Sequence, residues 1–134
     1  MTLLVNIDIP DLESATRFYC TAFQLSIGRR FDNSGVELLG SSSPIYLLTK
    51  DEGTAPAKTT SQSRTYHRHW TPVHLDFVVT DIDAAIERAV AAGAALEQPV
   101  STQKWGKLAL LADPFGHGFC FVQFLGRGYD EIAE

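Results

Sequence analysis

A strand running straight into an aspartate-capped helix occurs twice in this chain, and that duplication limits the fold to two copies of one unit. The later copy reads Val73-His74-Leu75-Asp76-Phe77-Val78-Val79-Thr80-Asp81-Ile82. Phe77, Val78 and Val79 are strand formers. Asp81 follows as an N-cap, its carboxylate placed to accept from the unpaired amides of the first helical turn. Ile82, Ala85, Ile86, Ala89 and Val90 make an apolar helical stripe, and Gly93 suits the helix stop. The earlier copy is Val5-Asn6-Ile7-Asp8-Ile9-Pro10-Asp11-Leu12, with a stripe of Leu12, Ala15, Tyr19 and Ala22. Aligning Asp11 with Asp81 sets Leu4 opposite His74 and Asn6 opposite Asp76.

In chain order the pattern predicts a strand over Leu3–Ile9, a helix over Leu12–Phe23, and strands over Leu25–Phe31, Val36–Leu39 and Pro44–Thr49. Asp32-Asn33-Ser34-Gly35 supplies hairpin chemistry between two of them. Lys50–Thr71 is polar and without periodicity, a length that marks a functional or mobile connection. The second copy predicts a strand over Val73–Thr80, a helix over Ile82–Ala92, and strands over Ala94–Gln98, Lys107–Ala112 and Phe119–Phe124. Asp113-Pro114-Phe115-Gly116 fits a type I turn, and the acidic tail after Gly126 is expected on the surface. Each half reads β-α-β-β-β. Neither half buries its helix and sheet well alone, so both are expected within one α+β domain over 1–126: module one 3–49, linker 50–72, module two 73–124, and a tail over 127–134.

The length of 134 residues suits one well-buried domain. A net charge of −5 without a basic block disfavours nucleic acid and anionic membranes as partners. No signal peptide and no stretch of membrane-spanning length is visible. The two cysteines, Cys20 and Cys120, are too few for a disulfide scaffold. The expected location is cytoplasmic.

The repeat, together with Asp113-Pro114-Phe115-Gly116-His117-Gly118-Phe119-Cys120, resembles the vicinal-oxygen-chelate superfamily of glyoxalase, bleomycin-resistance and extradiol-dioxygenase-like proteins, over roughly Leu3 to Phe124. The resemblance implies paired modules forming a curled mixed sheet around a cleft, often within a homodimer. It also implies, in metal-dependent members, four ligands on the first and last strands of each module. Those positions fall on Leu4, His74, Tyr46 (within one residue of register) and Cys120. Leucine has no lone pair to give, and a tyrosine would have to lose a proton with a pKa near ~10. Cys120 and His74 alone make only two strong ligands. The expectation is therefore no metal and no other cofactor at the family's site, a divalent ion being the disfavoured case.

If His74 faces such a cleft, alternation turns Asp76 and Val78 the same way, while Leu75, Phe77 and Val79 face the helices. The expected ligand-binding set is Asn6, Asp8, Tyr46, Trp70, His74, Trp105, Phe115, Cys120, Val122 and Phe124. It is mostly apolar with a few polar points, and Trp70, Trp105 and Phe115 would wall the mouth for a ring-bearing ligand. His74 is the candidate proton carrier and Asp76 the candidate acid or base. Asp8 and Asp76 could instead pair with Asn6, His74 or an arginine. Cys120 reads as a small core residue, His117 as a strand-entry residue, and His67 and His69 as solvent-facing residues beside Arg68. Three functions remain open. One is a binding protein that sequesters or carries a small, ring-bearing molecule, as bleomycin-resistance-like members do. Another is an enzyme of lyase, isomerase, epimerase or dioxygenase type using His74, with a rebuilt or absent metal site. The last is a structural or regulatory dimer with a collapsed cleft.

Overall fold

A computed structural model describes all 134 residues. Its contacts divide the chain into two compact units, Met1–His67 and Arg68–Glu134. The first contains β1 (Val5–Ile9), α1 (Leu12–Phe23), β2 (Ser26–Phe31), β3 (Gly35–Leu39) and β4 (Ile45–Thr49). The second repeats the order with β5 (Leu75–Val78), α2 (Ile82–Ala92), β6 (Ala95–Gln103), β7 (Gly106–Ala112) and β8 (Gly118–Phe124), then adds a single 3-10 turn over Gly128–Glu131. The duplication holds at the level of topology. The sheets are ordered β1-β4-β3-β2 and β5-β8-β7-β6, and in each the first strand lies parallel to the last while the other pairings are antiparallel.

Both helices begin where the aspartates placed them. The Asp11 carboxylate accepts from the Ser14 amide at 2.9 Å, and that of Asp81 from the Ala84 amide at 3.1 Å. A further first-turn amide, that of Ile82, donates to the Gln123 side chain on β8 at 2.9 Å, which ties the helix start to the sheet. Each helix buries part of its predicted stripe: Ala15, Tyr19 and Ala22 in α1, with Phe18 added, and Ile82, Ala85 and Ala89 in α2. Leu12 and Ile86 are only half-buried, and Val90 is 44% exposed.

Alternation decides which sheet face each helix covers. In the first unit Ile9, Val36, Leu38, Ile45 and Leu47 are buried, and α1 packs on β3 and β4. In the second, α2 packs on β6, β7 and β8, and Phe77, Phe119 and Phe121 meet edge-on. The residues between these, on the opposite face, are Asn6, Glu37 and Tyr46 in one row of the first sheet, and Asp76, Cys120 and Leu110 in one row of the second.

Two expectations need correction. The ladder of β5 covers only Leu75–Val78, so His74 precedes the strand. β6 does not stop at Gln98 but runs through Pro99 to Gln103. Proline is tolerated there because β6 is an edge strand with register shifts on either side of Gln98, so its missing amide breaks no ladder bond. The acidic tail lies largely on the surface, as expected, though one of its rings touches the sheet end. Tyr129 packs at 5.1 Å from Trp105 and 4.8 Å from Phe124, ring centre to ring centre.

Candidate functional site

In the first unit the open sheet face carries a buried acid. Glu37 is only 6% exposed, and its carboxylate is fully occupied. The Arg29 amide and Nε donate to Oε1 at 3.1 Å, Arg29 Nη2 donates to Oε2 at 2.6 Å, and the Tyr46 hydroxyl donates to Oε2 at 2.7 Å. The register shift in β2 between Ile27 and Arg30 lets both the backbone and the side chain of Arg29 reach one carboxylate. Gly28 leaves the space, since a Cβ there would sit 2.6 Å from Glu37 Oε1. The Arg29 guanidinium, followed by the Tyr46 hydroxyl, holds the Glu37 carboxyl down at about 2. The same bond pushes Tyr46 up, because its proton is held by a carboxylate.

A depressed carboxyl contributes stability above its ordinary value of 4.5, and that contribution disappears as pH falls through about 2. Glu37→Gln should therefore destabilise the protein most at neutral pH. The gap to the parent should close as pH falls from about 4.5 toward about 2, read from urea unfolding midpoints across that range. A gap independent of pH would assign the loss to packing.

Asn6 is exposed on the same face, opposite Tyr46. Asp8 finds the arginine left open by the sequence: Arg64 Nε donates to Asp8 Oδ2 at 2.9 Å. Arg64 also donates to Thr54 and to the Ala55 carbonyl, so it pins the polar connection back onto its own unit.

In the second unit, His74, Asp76 and Cys120 come together. His74 Nδ1 lies 2.9 Å from Asp76 Oδ1, with the two side chains 51% and 38% exposed. Asp76 sits directly opposite Cys120 in the β5–β8 ladder, as period-two alternation requires. One potential donor atom from each of the three residues lies within 4.8 Å of the others. Burial, then the Asp76 charge and a hydrogen bond to Asp76, push the Cys120 thiol up to about 11. That shift works against the thiolate form that a nucleophilic cysteine needs.

Of the remaining expected residues, Val122 is buried one row along from Cys120, with Val78 and Leu108 opposite it. Trp70 is 69% exposed and lies under the Arg68 guanidinium at 3.6 Å, while Arg68 itself grips both oxygens of Glu97. Trp105 and Phe124 form a cluster with Tyr129. Phe115 is buried in the turn, its amide donating to Asp113 Oδ1 at 2.8 Å. His69 departs from the solvent-facing expectation. Its Nε2 lies 2.8 Å from Nδ1 of His117, and its amide donates to the Gly116 carbonyl.

Sequence reasoning missed Glu37 and the His69–His117 pair. A single acid inside the apolar run Val36-Glu37-Leu38-Leu39 was an available signal, because such a charge must be paired. The two histidines lie 48 residues apart, and no spacing rule connects them.

The family's four-cornered metal site does not fit these side chains. Leu4 offers no donor atom, and the Tyr46 hydroxyl is given to Glu37. The residues that could approach a cation are His74, Asp76 and Cys120, and the last would first have to surrender a proton that burial holds in place.

Residues 4–122 match the family model described as a glyoxalase-like domain. An uncharacterized protein of Mycobacterium bovis is 46% identical over 54 residues, which is 40% of this chain and 36% of that protein. A Mycobacterium tuberculosis counterpart is likewise 46% identical over 54 residues, covering 32% of its length. The matches thus span about a third of these relatives. Among solved structures, a glyoxalase/bleomycin resistance protein/dioxygenase family enzyme from Burkholderia phytofirmans superposes with a TM-score of 0.72 at 22% identity, over 91% of this chain and 97% of that one. The fosfomycin resistance protein FosX of Listeria monocytogenes gives 0.72 at 17% identity, over 99% and 98%. The lactoylglutathione lyase of Agrobacterium tumefaciens gives 0.64 at 16%, over 92% of each. At these identities the likeness is one of fold.

Proposed function

The chain belongs to the glyoxalase-like domain family of the vicinal-oxygen-chelate superfamily, and on that footing we propose that it binds a small, ring-bearing molecule without the family's shared metal. The observation that carries this reading is the fate of the four inherited corners. Leu4 has no donor and the Tyr46 hydroxyl is spent on Glu37, while His74 stays half-exposed beside a carboxylate. What remains is a polar pair bordered by Val78, Leu108 and Leu110, the usual composition of a small-molecule site. The outward Trp70 offers a flat face for a ring, while the half-exposed Trp105 stands with Phe124 and Tyr129 at the other end of β8 from His74. The same proposal takes the protein to be cytoplasmic, where both free thiols stay reduced, and to work as a homodimer, as the superfamily resemblance implies. No helix is long and apolar enough to cross a membrane.

Tryptophan fluorescence titrated with a panel of aromatic and aliphatic small molecules tests the reading. Saturable quenching by at least one aromatic compound is expected, and none from any compound would sink it. A second reading, an enzyme with a rebuilt metal site, is favoured by the place of Asp76 beside His74 and Cys120. Elemental analysis separates the two. A divalent metal at one per chain in the purified protein, lost in His74→Ala, would establish the second reading over the first.

A further inference from the structure

We propose that His69 and His117 form a two-nitrogen chelate for a divalent cation of the nickel and copper class, built without any of the four inherited corners. It stands apart from the small-molecule reading above, since none of Tyr46, His74, Asp76 and Cys120 takes part.

The two rings already hold the spacing of a coordination edge. His69 Nε2 lies 2.8 Å from His117 Nδ1, with the ring planes crossing at 72°. At that distance the nitrogens share one hydrogen. A cation in its place needs a lone pair from each ring, which two neutral imidazoles supply once each carries its proton on the opposite nitrogen. At metal–nitrogen bonds of about 2.0–2.1 Å, nitrogens a right angle apart are about 2.8–3.0 Å from each other, and tetrahedral ones about 3.3–3.4 Å. The observed 2.8 Å is the edge of a right-angled sphere, which suits Cu2+ and Ni2+ better than tetrahedral zinc.

Both histidines are held by their backbones. The His69 amide donates to the Gly116 carbonyl at 3.1 Å, and the Asp113 amide donates to the His117 carbonyl at 2.8 Å. The His117 amide in turn donates to Asp113 Oδ1 at 2.9 Å, from a carboxylate only 5% exposed. On the other side, Arg68 fixes the start of the segment by gripping Glu97 on β6. A site held this way orders little further on binding. The charges around it also permit a cation. Arg68 would repel one alone, but Glu97 offsets it and Asp113 adds a buried negative charge. The strands of the parallel pair β5–β8 begin after His69 and His117 respectively, so a cation between the rings would clip together the segments that lead into them.

The probe is Ni2+ alone, because Cu2+ would oxidise the free thiols. Untagged His74→Ala, in which the cluster with Asp76 and Cys120 has lost a ligand, should bind one Ni2+ per chain in a calorimetric titration, more tightly than it binds Zn2+. Adding His117→Asn or His69→Gln to that background should weaken Ni2+ by about a hundredfold or more, because a chelate becomes a single contact. In proton NMR the ring signals of His69 and His117 should shift or broaden together below one equivalent. With Ni2+ at a hundred times its Kd the thermal midpoint should rise by about 5–10 °C, and stay put in both double variants. Circular dichroism of each variant checks that the fold is kept. No saturable Ni2+ binding, or binding that both double variants retain within threefold, would overturn the chelate and leave the pair a hydrogen-bonded clip. Zinc bound more tightly than nickel would overturn the right-angled geometry and the choice of cation with it.

Discussion

Truncation of Phe121 to alanine should lower the stability of the second unit by about 3–5 kcal/mol, near the upper end of what a single core substitution does. Phe121 is 1% exposed and is among the largest fully buried side chains. Its ring meets Phe119 at 5.4 Å and Phe77 at 6.5 Å, both edge-on, so the deletion removes aromatic contacts as well as buried area. The size of the loss turns on whether neighbours can collapse into the gap. Directly opposite on β7 stands Ala109, and the buried residues of α2 are Ile82, Ala85 and Ala89. Small side chains fixed on regular elements fill little of the vacated volume. Urea unfolding should show the midpoint falling with little change in slope. Val78→Ala, at an exposed position of the same sheet, should move it by less than about 1 kcal/mol. A loss below about 1.5 kcal/mol for Phe121→Ala would mean the core repacks around α2.

What the sequence revealed, and what it hid, follows the range of the interactions involved. Helix caps are local: Asp11 and Asp81 each reach an amide three residues on, and both are visible as a letter before an apolar stripe. Period-two alternation is also local, so the placement of Asp76 and Cys120 on one face, and of Tyr46 beside Asn6, needed only a parallel first and last strand. The strand expected to end at Gln98 continues through Pro99 to Gln103, because proline's rule depends on strand position, and edge or centre is a tertiary property. His69 and His117 meet because one turn and one extended segment happen to adjoin, with the His69 amide fixed on Gly116. Nothing near either residue encodes that.

Glu37 sits between these cases. Its presence in an apolar strand announced a partner, but its identity depended on a register shift in the neighbouring strand β2. That shift brings Arg29 over the carboxylate, while Tyr46 arrives from β4 on the other side. The consequence for function is direct. A tyrosine at an inherited ligand position is held by an acid that keeps its proton in place, so the same network that stabilises the first sheet removes one corner of the family's metal site.

The polar connection after β4 is where composition was least informative, and Arg64→Ala should show how much of its order depends on one side chain. Trypsin cleavage after Lys58 should rise by roughly 30- to 150-fold, while the global unfolding midpoint shifts far less. The segment has no helix or strand and is largely exposed, which is why its sequence reads as a mobile linker. Its backbone nonetheless closes on itself, with the Gly53 amide donating to the Arg64 carbonyl and the Arg64 amide to the Thr54 carbonyl, each at 2.8 Å. Those bonds survive the substitution. What is lost is the guanidinium, only 16% exposed, with its bonds to Asp8, Thr54 Oγ1 and the Ala55 carbonyl. Charged hydrogen bonds contribute about 1.5–3 kcal/mol each, but these share one group, so a combined loss of about 2–3 kcal/mol in local opening is expected. When reclosing is faster than cutting, proteolysis follows the open population, which converts that loss into the stated rate. Arg64→Lys keeps the charge without the planar fork and should fall between parent and alanine. Cleavage within threefold of the parent would show that the backbone ladder holds the segment alone, and that the pairing of Arg64 with Asp8 contributes nothing to its order.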